Sequence, residues 1–341
     1  MMEHKAYQKV FSLFKGKHLN LVIQAAAQGN QPTQIWVDDC VNPQTAFMWS
    51  KTNCYYLVGN EKNKEFNKAV KEYIAEKIAP EAVEKDFSVF KVYYTEGWEH
   101  KIYEIFDRPL VKMGRQFYAF SYVPVDWKNE NNESNVPSGS SVEYIDQKFL
   151  NRNLRNTEYV VEEIESMWNS LDDFLSNGFG FCAVYNGEIV CWCTAEYVSD
   201  TQCGIGIETL KKYQNKGFAT VTASALVEHC ISKGIVPHWD SWSDNLPSVR
   251  VAEKVGFKKI EDYFVYFGSL NDSENFCIQG NHYFEQKRYK KAAQWYEKAL
   301  TIKKSSKSYY HAACAWALAG ENDAALTNLR KAKDAEIMEH Q

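Results

Sequence analysis

The chain has 341 residues, which at roughly 150 residues per domain implies two or three domains. A formal net charge of -5 and a pI near 6.0 exclude the basic stripe of a nucleic-acid or anionic-membrane binder. The nine cysteines are odd in number and scattered. No apolar run approaches the roughly 20 residues that span a bilayer, and the N-terminal segment lacks the apolar core of a signal peptide. The expectation is a cytoplasmic protein with free, mostly buried thiols. Cys191-Trp192-Cys193 is the closest cysteine pair. It lies in an apolar strand-like run with no second pair or histidine cluster, so no metal site is expected.

Composition separates a first zone at 1–125, a linker at 126–140, a second zone at 141–270 and a helical tail at 271–341. The first zone reads as strands at 34–37, 46–50 and 54–59, then a helix over 61–79. Asn60 caps that helix, Phe66, Val70, Tyr73, Ile74 and Ile78 form its apolar face, and Pro80 ends it. A strand at 88–94, a short helix at 98–106 and a strand at 117–122 follow. The linker, rich in Asn, Glu, Ser and Gly, has no periodicity.

The second zone opens with a strand at 141–145 and helices at 146–154 and 160–176. Strands 181–185 and 189–197 form a hairpin closed by Asn186-Gly187. Then come a strand at 203–209, a loop at 210–216, a helix at 217–233, a strand at 237–242, a helix at 247–255 and a strand at 264–268. This alternation gives an α+β, α/β-like fold.

The loop Gln214-Asn215-Lys216-Gly217-Phe218-Ala219 runs from a strand directly into a helix. A helix N-terminus carries unpaired N–H groups and a partial positive charge, which a pyrophosphate satisfies. Gly217 and Ala219 let backbone approach the phosphates, and Gln214 and Lys216 supply side-chain donors. The string resembles the Q/R-x-x-G-x-G/A signature of the GNAT acyl-CoA N-acyltransferases. Asn245-Leu246-Pro247-Ser248 through Gly256-Phe257 resembles the family's N-x-x-S/A helix ending in G-F. The wording looks most like the zwittermicin A resistance-type acetyltransferases.

The resemblance implies acetyl-CoA as co-substrate and direct attack of an amine on the thioester. Proximity, a proton sink and oxyanion donors then carry the reaction. It also implies main-chain contacts from Ile207, Glu208, Thr209 and Leu210, and further contacts from Gln214, Asn215, Lys216, Gly217, Phe218, Ala219, Thr220, Asn245 and Ser248. Glu208, read as partly buried beside the thioester, is one candidate base, or else it faces solvent. Asp240 is a second. Trp239 and Trp242 either line an acceptor pocket or fill the core. Many GNAT enzymes place a Tyr seven residues after the Asn to protonate the thiolate. That position is Ala252, leaving Ser248, Tyr263 or solvent to act.

The element order of the first zone parallels the second half of a GNAT fold, but Gly59 is followed by Asn-Glu-Lys-Asn-Lys-Glu rather than a phosphate grip. It reads as a degenerate GNAT-like half or as an unrelated cap. In the tail, Gly280, Tyr283, Ala292, Tyr296 and Ala299 match Ala313, Trp316, Ala325, Leu329 and Ala332 at an offset of 33. The first unit resembles a tetratricopeptide (TPR) repeat. Two such units fall below the roughly three needed for independent stability. The tail is therefore expected to pack on the catalytic domain, to dimerise or to contact a protein partner. The overall expectation is an N-acetyltransferase acting on a small-molecule amine, without nucleic-acid or membrane partners. The alternative is a catalytically silent CoA-binding adaptor.

Overall fold

In a computed structural model of the protein, residues 2–51, 53–85, 87–120 and 136–339 are described. Residues 126–135 of the expected linker therefore lie outside the described residues.

A 3-10 helix (His4–Leu13) and helix α1 (Lys17–Ala27) open the chain, where no element had been expected. Leu19, Val22, Ile23 and Ala26 recur at helical spacing on α1 and are all buried. Strands β1 (Gln34–Val37), β2 (Thr45–Trp49) and β3 (Cys54–Gly59) follow. Helix α2 (Lys64–Tyr73) is capped by Asn63, whose side chain accepts from Phe66 N at 3.1 Å, and not by Asn60. Pro80 does not end the helical run. A π-helical turn (Ile74–Ile78) carries it into α3 (Ala79–Glu84), where Pro80 occupies the first turn and no intrahelical amide is needed. Next come β4 (Val89–Tyr94), α4 (Glu99–Phe106) and β5 (Val111–Phe120).

The second zone begins with β6 (Ser141–Tyr144) and α5 (Gln147–Leu150). The single helix expected over 160–176 is two, α6 (Thr157–Met167) and α7 (Leu171–Asn177). Trp168 leaves the helix in extended conformation and buries its indole, donating to Ala195 O at 3.1 Å. Ser170 then caps α7 by accepting from Asp173 N. Strands β7 (Gly180–Tyr185), β8 (Glu188–Glu196) and β9 (Gln202–Thr209) lead to α8 (Phe218–Lys233), β10 (Val236–Trp242), α9 (Leu246–Val255) and a long β11 (Phe257–Ser269). Helices α10 (Asp272–Glu285), α11 (Tyr289–Ile302), α12 (Ser306–Leu318) and α13 (Asn322–Glu339) close the chain.

The compact units are not contiguous in sequence. One joins Met1–Thr52 to Gly114–Phe264, and the other joins Asn53–Met113 to Val265–Gln341. In the first, β6, β7, β8 and β9 pair antiparallel in turn, β9 runs parallel to β10, and β10 pairs antiparallel with β5. The β9–β10 pairing ends at Ile205↔Trp239, and beyond it the two strands part. One face of these strands packs on α8, where Cys203 Sγ meets Cys230 Sγ at 3.6 Å. The other is covered by α1, with Leu21 over Gly204. Five of the cysteines, Cys182, Cys191, Cys193, Cys203 and Cys230, are buried free thiols of this core.

In the second unit, β3 runs parallel to β4, and β4 pairs antiparallel with β11. The first tail helix is bound into this unit by buried polar contacts. Asn275 and Gln279 donate to Pro109 O at 3.0 and 3.2 Å, and Glu274 accepts from Ser88 and Ser269, both at 2.6 Å. Gly280 is obligatory where α10 meets α11, because a Cβ there would collide with the Tyr296 ring. Leu329, the equivalent of buried Tyr296 in the second tail hairpin, is 47% exposed.

Candidate active site

The turn from β9 into α8 forms one wall of a cleft of about 830 Å³. A short 3-10 turn, Lys211–Tyr213, leaves the strand, and Asn215 and Gly217 both adopt left-handed backbone (φ 61 and 82). That combination swings the chain back so that α8 starts abruptly at Phe218. Its N-cap, Gly217, has no side chain to occupy the first-turn amides. A 16-residue helix therefore presents its positive end to the cleft. Gln214 bridges the base of the turn, donating to Thr209 O at 3.2 Å.

The opposite wall is α9. Asn245 caps it, accepting from Ser248 N at 3.3 Å. Ser248 Oγ accepts from the indole N–H of fully buried Trp239 at 3.0 Å, which leaves the Ser hydroxyl proton available to the cleft. Pro247, Arg250, Val251 and Lys254 line the same wall. Their spacing is that of one helix face, and it brings two exposed cations to the cleft. These cations, and Tyr213, had not been anticipated; the 247, 250, 251, 254 spacing is the signal that marks them.

Of the residues expected at the site, Ile207, Thr209, Gln214, Asn215, Gly217, Phe218, Ala219, Thr220, Asn245 and Ser248 line the cleft, and Leu210 and Lys216 do not. Leu210 spends its N–H on Val190 O at 3.0 Å. Lys216 places Nζ 5.2 Å above the Tyr213 ring. Glu208 lines the cleft and is exposed, the solvent-facing one of the two alternatives.

Asp240 lies on the other face of β10. It accepts from Arg115 Nε at 3.0 Å and from Tyr263 OH at 2.5 Å. Arg115 also stacks over Trp242 at 4.5 Å, and Tyr263 stacks on His18 at 3.7 Å. His18 in turn bonds Glu261 at 2.8 Å. Burial pushes the Glu261 carboxyl up, but the hydrogen bonds and charge of His18 outweigh it and hold the group below its ordinary value. His238, stacked on Phe117, is driven down to about 4 by burial and stays neutral near pH 7. Ala252 is fully buried in the core beside Trp239.

One buried carboxylate anchors the phosphate turn. Glu188, 5% exposed, accepts from Tyr213 OH, from Lys212 Nζ at 3.0 Å and from Asn156 Nδ2 at 3.3 Å. The Tyr213 hydrogen bond, aided by Lys212 and Asn156, holds its pKa below the usual carboxylate range. Tyr213 packs edge-on against Phe218, so Glu188 fixes both ends of the turn.

A profile of the GNAT acetyltransferases matches residues 11–266. The chain belongs to the GNAT acetyltransferase family. The match starts far ahead of residue 141, so family likeness extends over the first zone, where sequence motifs had placed none. The chain is 27% identical over 263 residues to an uncharacterized N-acetyltransferase, YdfB, of Bacillus subtilis (strain 168), covering 77% of this chain and 96% of that protein. Among solved structures it resembles a GCN5-related N-acetyltransferase-like protein from Streptococcus suis 89/1591, with a TM-score of 0.58 and 20% identity over 77% of this chain and 98% of that one. It also resembles a tandem GNAT protein from the clavulanic acid biosynthesis pathway, with a TM-score of 0.50 and 10% identity over 79% and 96% of the two chains. GNAT acetyltransferases use acetyl-CoA, and the uncapped α8 N-terminus suits its pyrophosphate. Among the described residues no helix is long and apolar enough to cross a membrane, and no cluster of His, Cys, Asp and Glu could hold a metal ion.

Proposed function

We propose that the protein transfers an acetyl group from acetyl-CoA to the primary amine of a small molecule, by direct attack in a ternary complex. The observation that carries this reading is the uncapped N-terminus of α8 facing Arg250 and Lys254 across the cleft. Backbone amides of Phe218, Ala219 and Thr220 bind the pyrophosphate, and the two cations hold the remaining phosphate charge. The parted ends of β9 and β10 receive the pantetheine arm, with Ile207 and Thr209 offering main-chain groups and Ser248 a hydroxyl donor. Bound acetyl-CoA supplies an activated carbonyl; the protein supplies alignment and a proton sink. Glu208 and Asp240 remain candidate bases, and Asp240 is the more constrained because Arg115 and Tyr263 fix it.

The test is thiol release from acetyl-CoA over a library of primary amines and amine-bearing antibiotics, with calorimetry for acetyl-CoA itself. Release with at least one amine, and affinity weakened in Arg250→Ala/Lys254→Ala, supports the reading. Binding without release from any amine favours a silent CoA-binding adaptor. Buried Ala252 favours that second reading, since no acid reaches the thiolate from its position.

The first 125 residues are read as a degenerate GNAT-like half. In support, strand–helix–strand β3-α2-β4 is parallel as β9-α8-β10 is. The closing strand of each half pairs with the last but one strand of the other, β5 with β10 and β11 with β4. Such an exchange explains why the compact units interleave in sequence, and a tandem GNAT protein offers a fold precedent. The four-helix tail is read as two TPR-like units. The zwittermicin-type subfamily, a cytoplasmic location and a tail-mediated partner or homodimer belong to the same proposal.

A further inference from the structure

A half-buried carboxylate that neither the motifs nor the cleft walls mark lies beside the point where β9 and β10 part. Glu196 ends β8, on the face covered by α1. In register it stands opposite Gly204, while Thr194 stands opposite Gly206. The space over Gly204 is taken: Leu21 of α1 and the ring of Tyr197, itself in left-handed backbone (φ 48), would meet a Cβ there at 3.5 and 3.2 Å. The Glu196 side chain therefore leans one pair along the strand, and its carboxylate sits directly over Gly206, where any Cβ would collide with it. Thr194 Oγ1 borders the same spot at 3.4 Å. Gly206 is the first β9 residue past the last β9–β10 pair, Ile205↔Trp239, so the carboxylate overlies the point where the strands part. The lining of the cleft on β9 begins at the next residue, Ile207, with Trp239 on the neighbouring strand. Glu196 is half-buried, whereas Glu208 is exposed. The same face of β8 carries the Trp192 indole N–H, 3% exposed and without a hydrogen-bond partner among the described residues.

We propose that Glu196 binds the acceptor's ammonium group on the α1 face of the sheet and takes its proton. The inference rests on the transferase reading above. It implies a cationic primary amine as substrate, entering opposite the CoA cleft, with Thr194 and Trp192 flanking it. One N–H proton passes to the Glu196 carboxylate. The freed nitrogen lone pair then forms the C–N bond as the C–S bond breaks. The second N–H proton leaves with the thiolate as thiol, and Glu196 returns its own to solvent.

The experiment compares two nucleophiles at neutral pH: an alkylammonium (n-propylamine) and hydroxylamine, which is largely uncharged there and needs no deprotonation. Glu196→Gln is expected to lower thiol release with n-propylamine by about 100-fold or more, the low end of general-base effects, and to change release with hydroxylamine by less than about threefold. Glu196→Asp should restore part of the n-propylamine rate. Acetyl-CoA affinity by calorimetry should match wild type in both variants, which also reports folding of the site. Equal losses with both nucleophiles, or no loss with either, overturn the assignment. If wild-type protein releases thiol with neither of these nor with any amine of the library, the transferase reading fails and takes this inference with it.

Discussion

Two strand-to-helix turns, each between parallel strands, end differently. At β9–α8 the chain turns through left-handed Asn215 and Gly217, and nothing caps the helix. At β3–α2 the helix start is closed: Asn63 accepts from Phe66 N, and Asn67 Nδ2 donates to Glu61 O at 2.8 Å. The Glu61 carboxylate also lies beside Gly97, adding negative charge near the turn. The comparison teaches that a helix N-terminus is a phosphate site only while its amides are left unspent. A capping Asn stabilises the helix and removes the site in one step.

The largest effect expected from this contrast is at Gly217. Gly217→Val puts a β-branched side chain at φ 82 and into the phosphate path. Acetyl-CoA affinity by calorimetry should fall by about 100-fold or more, near 3 kcal/mol. Gly59→Val, at φ 84 in the other turn, should leave that affinity unchanged and lower only the melting temperature. Equal losses of affinity would erase the distinction between the turns.

Glu188→Gln comes next. Removing the charge that holds Tyr213 and Lys212 should weaken acetyl-CoA binding by about tenfold, the scale of a charge-assisted hydrogen bond. The sign with pH follows from its depressed pKa. The anchor is intact above the ordinary carboxylate range and is lost as pH falls through the lower folded value. Wild-type affinity should therefore drop in acid, and the variant's should not share that step.

The smallest effect is at Asn63. Asn63→Ala should cost about 1 kcal/mol of stability in chemical denaturation, with acetyl-CoA affinity unaltered. A measurable change in affinity would mean that the first turn also contributes to binding.

Much of this was legible without coordinates. The Gln214–Ala219 string and the Asn245–Phe257 string mark both walls of the cleft, because each encodes a local event: a glycine at positive φ, a capped helix start, a G-F exit into a strand. The α9 cations were legible too, at 250 and 254 on the Pro247–Val251 face. The helix starts at Asn63 and Ser170 were misread because several polar residues compete for a cap, and packing decides among them. Buried Trp168 broke a continuous helical pattern for the same reason.

The sequence by itself determined the strand–turn–helix order around the cleft, the phosphate turn and the family, since these depend on contacts only a few residues apart. Tertiary structure alone decided the rest. It paired β5 with β10 and β11 with β4, buried Ala252, exposed Glu208, and leaned Glu196 over Gly206 because Leu21 and Tyr197 had filled the neighbouring space. Side-chain direction on a sheet depends on what other segments have already occupied, and no local spacing records that.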